Sequence, residues 1–118
     1  MENKTALFEK QQVRKIWDEK NGKWWFSVVN VVAVLTDSNY KTSRKYWNKL
    51  KQRFRERGHE LAPSCRQLKM ESADGKKYLT DVADARVLFC LIRSIPSKKA
   101  EPFRAKLAKI LAERREHT

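Results

Sequence analysis

Glycine is too scarce and too dispersed in this chain to build a phosphate loop: there are three, Gly22, Gly58 and Gly75, none near another. A loop that cradles phosphates with its backbone N–H groups needs several glycines within a few residues, so nucleotide hydrolysis of that kind is excluded. Cysteine is rarer still. Cys65 and Cys90 form no CxxC pair, and with His59 and His117 as the sole histidines no zinc site or structural disulfide is expected. Cys90 lies in an apolar run and reads as a small core residue. Neither GxSxG nor HExxH occurs, and the acidic residues are scattered among turns, caps and ion pairs instead of gathered as metal ligands. No apolar run reaches the roughly 18 residues of a membrane span. The opening MENKTALFEKQQ is polar and mixed in charge, unlike a signal peptide. These absences predict a soluble, unexported, cytoplasmic chain with no metal, no cofactor and no membrane partner, and not an enzyme.

Acids are also outnumbered, 14 against 27 Lys and Arg, for a net charge of +13. A surface that repels itself this strongly is destabilised unless anions neutralise it, and nucleic acid is the anion that fits. The excess is local. Residues 41–57 hold eight basic residues against Glu56 alone, and residues 98–115 hold seven against Glu101 and Glu113, so these two segments carry 12 of the 13 net charges. Like charges three or four residues apart disfavour a helix by a few tenths of a kcal/mol per pair, yet Lys41, Lys45 and Lys49 form such a ladder, as do Lys51 and Arg55. A merely solvated face alternates sign; this one does not, which favours an anion-binding face.

At 118 residues the chain suits one domain, since domains commonly run to about 100–150 residues. The reading is α+β: a single domain over 12–115 with two β-hairpins and about four helices, one of them basic and amphipathic and one buried and apolar, between a flexible tail at 1–11 and a short tail at 116–118. The first hairpin turns at Asn21-Gly22, which pairs Trp17 with Phe26 and Asp18 with Trp25. Its aromatic cluster reads as core packing before a base-stacking platform. Val28, Val31, Val32 and Leu35 follow a helical period behind Ser27 as N-cap, although so many valines also suit a strand. After a break at residues 36–39, a helix from about Lys41 to Arg57 stops at Gly58, with Tyr46, Trp47, Leu50 and Phe54 as its apolar stripe. The second hairpin turns at Asp74-Gly75, pairing Met70 with Leu79. Thr80 or Asp81 then caps an apolar helix from Val82 to about Ile95, and a last helix runs from about Pro102 to Arg115 with Phe103, Leu107, Ile110 and Leu111 inward.

The segments Gly22–Leu35, Tyr46–Lys51, Asp74–Asp81 and Ser94–Phe103 together resemble the N-terminal domain of the BRO family, over about residues 12–115. Within it they look closest to the bacterial branch that holds the DNA-damage-inducible protein D family and prophage antirepressors. The resemblance implies an α+β domain that binds DNA, usually the N-terminal module of a longer phage, viral or bacterial regulatory protein. After Phe103 the chain departs from many relatives, which carry a tryptophan-containing segment and a Leu-Pro where it reads Arg-Ala-Lys-Leu-Ala-Lys-Ile-Leu.

No residue-level contacts come with that resemblance, so the expected site rests on charge. Lys41, Arg44, Lys45, Lys49, Lys51, Arg53 and Arg55 are the phosphate candidates on the basic helix, with Asn48, Gln52 and Arg44 able to reach base edges. Lys98 and Lys99 form a secondary patch. Lys76 and Lys77, at the second hairpin's tip, serve either a phosphate or solubility. The expected partner is duplex DNA; a homodimer would fit paired half-sites. A different class of reading, an antirepressor-like module that grips a repressor, is equally compatible with the charge.

Overall fold

Ser27 ends a strand and starts a helix, and that junction organises the molecule. The computed structural model describes residues 3–8, 11–57, 65–72 and 74–116. In chain order these form β1 (Asn3–Phe8), β2 (Gln11–Asp18), β3 (Lys23–Ser27), α1 (Val28–Thr36), α2 (Tyr40–Glu56), β4 (Cys65–Glu71), β5 (Lys77–Ala83), α3 (Ala85–Ser94) and α4 (Ala100–Glu116). The strands make one antiparallel sheet in the order β1-β2-β3-β5-β4, so the fold is α+β with both expected hairpins and four helices. The Gly58 stop and both histidines lie outside the described residues.

Asn3–Phe8, within the segment expected to be a flexible tail, form a strand. They pair with β2 from Asn3↔Ile16 to Phe8↔Gln11, because β2 otherwise presents an open row of backbone donors and acceptors.

The β2–β3 hairpin is displaced by two residues from the expected register: Trp17 faces Trp24 and Asp18 faces Lys23, across a four-residue loop. Asp18 sets that loop. Its carboxylate accepts from the Asn21 backbone N–H at 3.2 Å, the Asn21 side chain at 2.7 Å and the Trp25 indole N–H at 3.1 Å, while Gly22 supplies the positive φ of 62°. A shift of two keeps every side chain on its face. Trp24 and Phe26 therefore enter the main core with Val13 as the pattern required, and Trp17 packs edge-on against Trp24 at 5.2 Å. The aromatics are core residues and not an exposed stacking platform.

In the β4–β5 hairpin the displacement is one residue, and its effect is larger. Met70 faces Tyr78, and Leu79 faces Lys69. The Gly75 N–H donates to the Ser72 carbonyl and the Ser72 N–H to the Lys76 carbonyl, with Gly75 at a φ of 84°, so the loop holds an odd number of residues. A slip of one exchanges the faces of the sheet: Met70 is buried while Leu79 stands 63% exposed.

Two cores result. The main one lies between the helices and one face of the sheet, with Val31, Val32 and Leu35 of α1, Trp47 and Leu50 of α2, Leu88 and Leu91 of α3, and Phe103, Leu107 and Ile110 of α4. The valine-rich α1 is a helix because Ser27 caps it, its hydroxyl accepting from the Asn30 N–H at 3.4 Å. The stripe of α2 is as read from the sequence, with Tyr46 and Phe54 partly buried and Ser43 added. The second core, Ile16, Trp25, Met70 and Val82, sits on the other face of the sheet, where Lys23 and Arg66 lie over the Trp25 ring at 4.6 and 5.0 Å.

The apolar helix begins later than its sequence suggested. Thr80–Ala83 belong to β5, since Val82 and Ala83 pair with both β3 and β4, and Asp84 is the N-cap, accepting from the Val87 N–H at 3.2 Å. Asp81 is thereby freed from capping. α4 begins at Ala100, two residues before Pro102. Cys90 is half-buried, not fully interior, and its sulfur lies 3.4 Å from the Arg93 guanidinium.

Hydrogen bonds from Asn21 and then Trp25 hold the buried Asp18 carboxyl below its ordinary value near 3.8, at about 2. The folded pKa is depressed, so this contribution to stability is complete above the unfolded value and is lost as pH falls through the folded one. Denaturant midpoints measured from about pH 5 to pH 2 should fall with acidity in the wild type and show a shallower fall in Asp18→Asn.

Candidate nucleic-acid interface

Beyond Ser27 no strand lies between β2 and β5, because β3 meets β5 only at Phe26↔Ala83 and Ser27↔Val82. A cleft of about 530 Å³ lies between α2 and the β4–β5 hairpin. One wall is the edge of α2 formed by Tyr40, Arg44, Trp47, Asn48 and Lys51, whose spacing of three and four places them along one side of a helix. The other is the hairpin, through Gln67, Tyr78, Leu79 and Asp81, and Arg14 of β2 lies at the same opening.

Asp81 fastens the walls together. Its Oδ2 accepts from the Trp47 indole N–H at 2.8 Å and the Lys51 ammonium at 2.9 Å, and its Oδ1 accepts from the Gln67 amide at 3.0 Å. Burial raises the Asp81 pKa, but the hydrogen bonds from Trp47, Lys51 and Gln67, with the Lys51 charge, outweigh it, and the net shift is downward. The same neighbourhood acts on Cys65: burial, then the Asp81 and Asp84 charges, push its thiol up to about 11, which favours the neutral thiol over the thiolate.

Of the expected site residues, Arg44, Asn48 and Lys51 line the cleft. Lys51 is committed to Asp81. Lys41, Lys45, Lys49, Gln52, Arg53 and Arg55 are exposed along the rest of α2, where Gln52 bonds to Glu56 at 3.2 Å. Lys76 and Lys77 are exposed on the hairpin that forms the opposite wall. Lys98 and Lys99 precede α4, and Lys99 pairs with Asp37 at 3.3 Å, beside the α1–α2 corner. Among the described residues, Lys51 is the one cation of α2 joined to a carboxylate.

Charge counting passed over Arg14, Tyr40, Gln67, Tyr78, Leu79 and Asp81. Tyr40, Tyr78 and Leu79 are the exposed large hydrophobic side chains of the described residues, at 47%, 49% and 63%, and all three line this cleft. A signal existed for the hairpin pair: a strand with one buried face alternates, and Tyr78-Leu79 places two large apolar residues on opposite faces. Among the described residues no helix is long and apolar enough to cross a membrane, and no group of three or more His, Cys, Asp or Glu is placed to hold a metal ion.

Replacing Asp81 by Ala should destabilise the fold by about 1–3 kcal/mol, since it leaves the Trp47 indole and the Lys51 ammonium without their acceptor. Asp81→Asn, which retains one acceptor oxygen, should lose less. Urea denaturation of the three proteins checks the order.

No curated protein and no solved structure matches the chain. Residues 12–112 match the family described as "BRO family, N-terminal domain", a non-catalytic module with a DNA-binding or regulatory role. Every residue that lines the cleft falls inside that match, and the chain belongs to the BRO family, of which it carries the N-terminal domain.

Proposed function

We propose that this domain binds duplex DNA through the outward face of α2, as the DNA-contacting unit, residues 12–115, of a phage- or prophage-type regulator in the antirepressor or DNA-damage-inducible branch, acting in the cytoplasm at the nucleoid. The observation that carries the reading is the row of α2 cations, Lys41, Arg44, Lys45, Lys49, Arg53 and Arg55, exposed and, among the described residues, without ion-pair partners. A helix that bears self-repelling charge on its outer face while its inner face is anchored by Trp47, Leu50 and Asp81 is built to be completed by phosphates. Asn48 and Gln52, exposed between the cations, are the side chains suited to base edges. Lys76, Lys77, Lys98 and Lys99 extend the basic surface as secondary contacts.

Each phosphate neutralised on duplex DNA contributes about −0.9 to the slope of log affinity against log salt, so five contacts give roughly −4 to −5. Fluorescence anisotropy over a salt series should return that slope for the wild type. A Lys41→Glu, Arg44→Glu, Lys45→Glu variant, its folding checked by circular dichroism, should lose most of the binding; a folded variant that binds normally rules out α2 as the contact surface.

A second reading, an antirepressor module that docks on a repressor, draws support from Leu79, a large apolar side chain left in contact with water. Capture of a protein partner that persists after nuclease treatment and is lost in Leu79→Ser would favour it.

A further inference from the structure

Resting on the DNA-binding reading, we propose that the cleft between α2 and the β4–β5 hairpin receives a single unstacked nucleotide, its phosphate on Arg14 and Arg44 and its base against Tyr40 and Tyr78.

Arg14 is the first reason. It is half-buried, and three of its guanidinium nitrogens are committed: Nε donates to Asn30 Oδ1 at 2.8 Å, Nη1 to the Glu71 carbonyl at 3.1 Å and Nη2 to Ser27 Oγ at 3.3 Å. All three acceptors are neutral. Among the described residues no carboxylate pairs with this arginine, so its charge is aimed but not balanced. A cation withdrawn from water is ordinarily paired, and a guanidinium has five N–H donors, so two remain for an entering anion. Arg44, exposed on the α2 wall, adds a second cation to the same space. The acid among the cleft's lining residues, Asp81, is already neutralised by Lys51 and does not repel a phosphate.

The aromatic pair is the second reason. Tyr40 and Tyr78 are each about half exposed, at 47% and 49%, and both are held. The Tyr78 hydroxyl donates to Asp74 Oδ2 at 2.6 Å, which fixes the ring from the hairpin tip, and the Arg14 guanidinium lies 5.8 Å from the centre of the Tyr40 ring. Rings already ordered accept a base without the entropy cost of being ordered by it. Every base has a π-face, so such a platform is tolerant of sequence. Asn48, on the same wall, adds an amide that can both donate to and accept from a base edge. The cleft's volume of about 530 Å³ falls within the roughly 300–1,000 Å³ of sites that enclose small ligands.

The shared chemistry, an aromatic base joined to a phosphate, has two sources: a nucleotide swung out of a bound DNA strand, or a free mononucleotide. Three labelled duplexes of one sequence separate them, fully paired, with one bulged adenosine, and with that bulge abasic, alongside calorimetric titration with dAMP and with deoxyadenosine. Wild type should bind the adenosine bulge roughly tenfold more tightly than the paired duplex, and the abasic bulge should lose that gain. A Tyr40→Ala, Tyr78→Ala variant should bind the paired duplex as wild type does and show no gain from the bulge. dAMP binding that needs both tyrosines and exceeds deoxyadenosine binding, without any preference for the bulge, supports the site with a free nucleotide as its source. Equal affinity for all three duplexes with no dAMP binding at about 10 mM, where even millimolar affinity would register, overturns the nucleotide site and leaves DNA binding standing. So does a bulge preference or dAMP binding that survives removal of both tyrosines. If no duplex binds, the DNA reading fails, and the dAMP titration alone decides the cleft.

Discussion

Ser27 cannot be both a strand residue and a helix cap for long, and the molecule is arranged around the place where it changes role. Its backbone makes the last pairing of β3, with Val82, and its hydroxyl accepts from the Asn30 N–H at the start of α1 and from Arg14. Because the chain leaves the sheet there, β2 and β5 lose the strand between them. Arg14, Asn30 and Glu71 occupy the opening with hydrogen bonds, so that β2 and β4, which are not neighbours in the sheet, are joined through the Arg14 guanidinium. The cleft follows from this early termination, and so does the exposure of side chains that a longer β3 would have covered.

The basic helix poses an electrostatic problem that the fold solves from behind. Its outer face repels itself, and no acidic residue of its own first turn offsets that. The compensation comes from Asp81 on β5, which reaches the inner edge of α2 and takes hydrogen bonds from Trp47 and Lys51. One charge on the sheet side thus seats the helix and leaves its solvent side cationic. Were the acid on the outer face, it would stabilise the helix equally well and cancel the feature that suits it to polyanions.

Periodicity made most of the fold legible. The helical repeat of α1 outweighed its valines because Ser27 was there to cap it, and the stripe Trp47, Leu50, Phe54 correctly gave the buried side of α2. Both hairpins were marked by their turn glycines, yet neither register was, since register depends on loop length. That length is set by side chain–backbone bonds, those of Asp18 in one loop, and by the backbone closure from Ser72 to Gly75 and Lys76 in the other. The late start of α3, behind Asp84, has a different cause: whether Thr80–Ala83 are strand or helix is decided by pairing with β3 and β4, partners distant in sequence. The candidate site was half legible for the same reason. Charge density picked out Arg44, Asn48 and Lys51, while Arg14, Tyr40 and Tyr78 acquire meaning only when β2 and the second hairpin are brought to one opening.

The position of β5 between β3 and β4 also bears on the order in which the molecule can assemble. Phe26 must find Ala83 across both α1 and α2, and the acceptor that seats α2 belongs to that same late strand. On a ribosome, β1–β3 and α1 can form while the chain is still short, but the cationic helix emerges before the carboxylate that docks it. Closing so long a loop precedes its reward and slows folding. Docking of the second hairpin thus does two things at once: it completes the sheet and brings in the carboxylate that locks the helix.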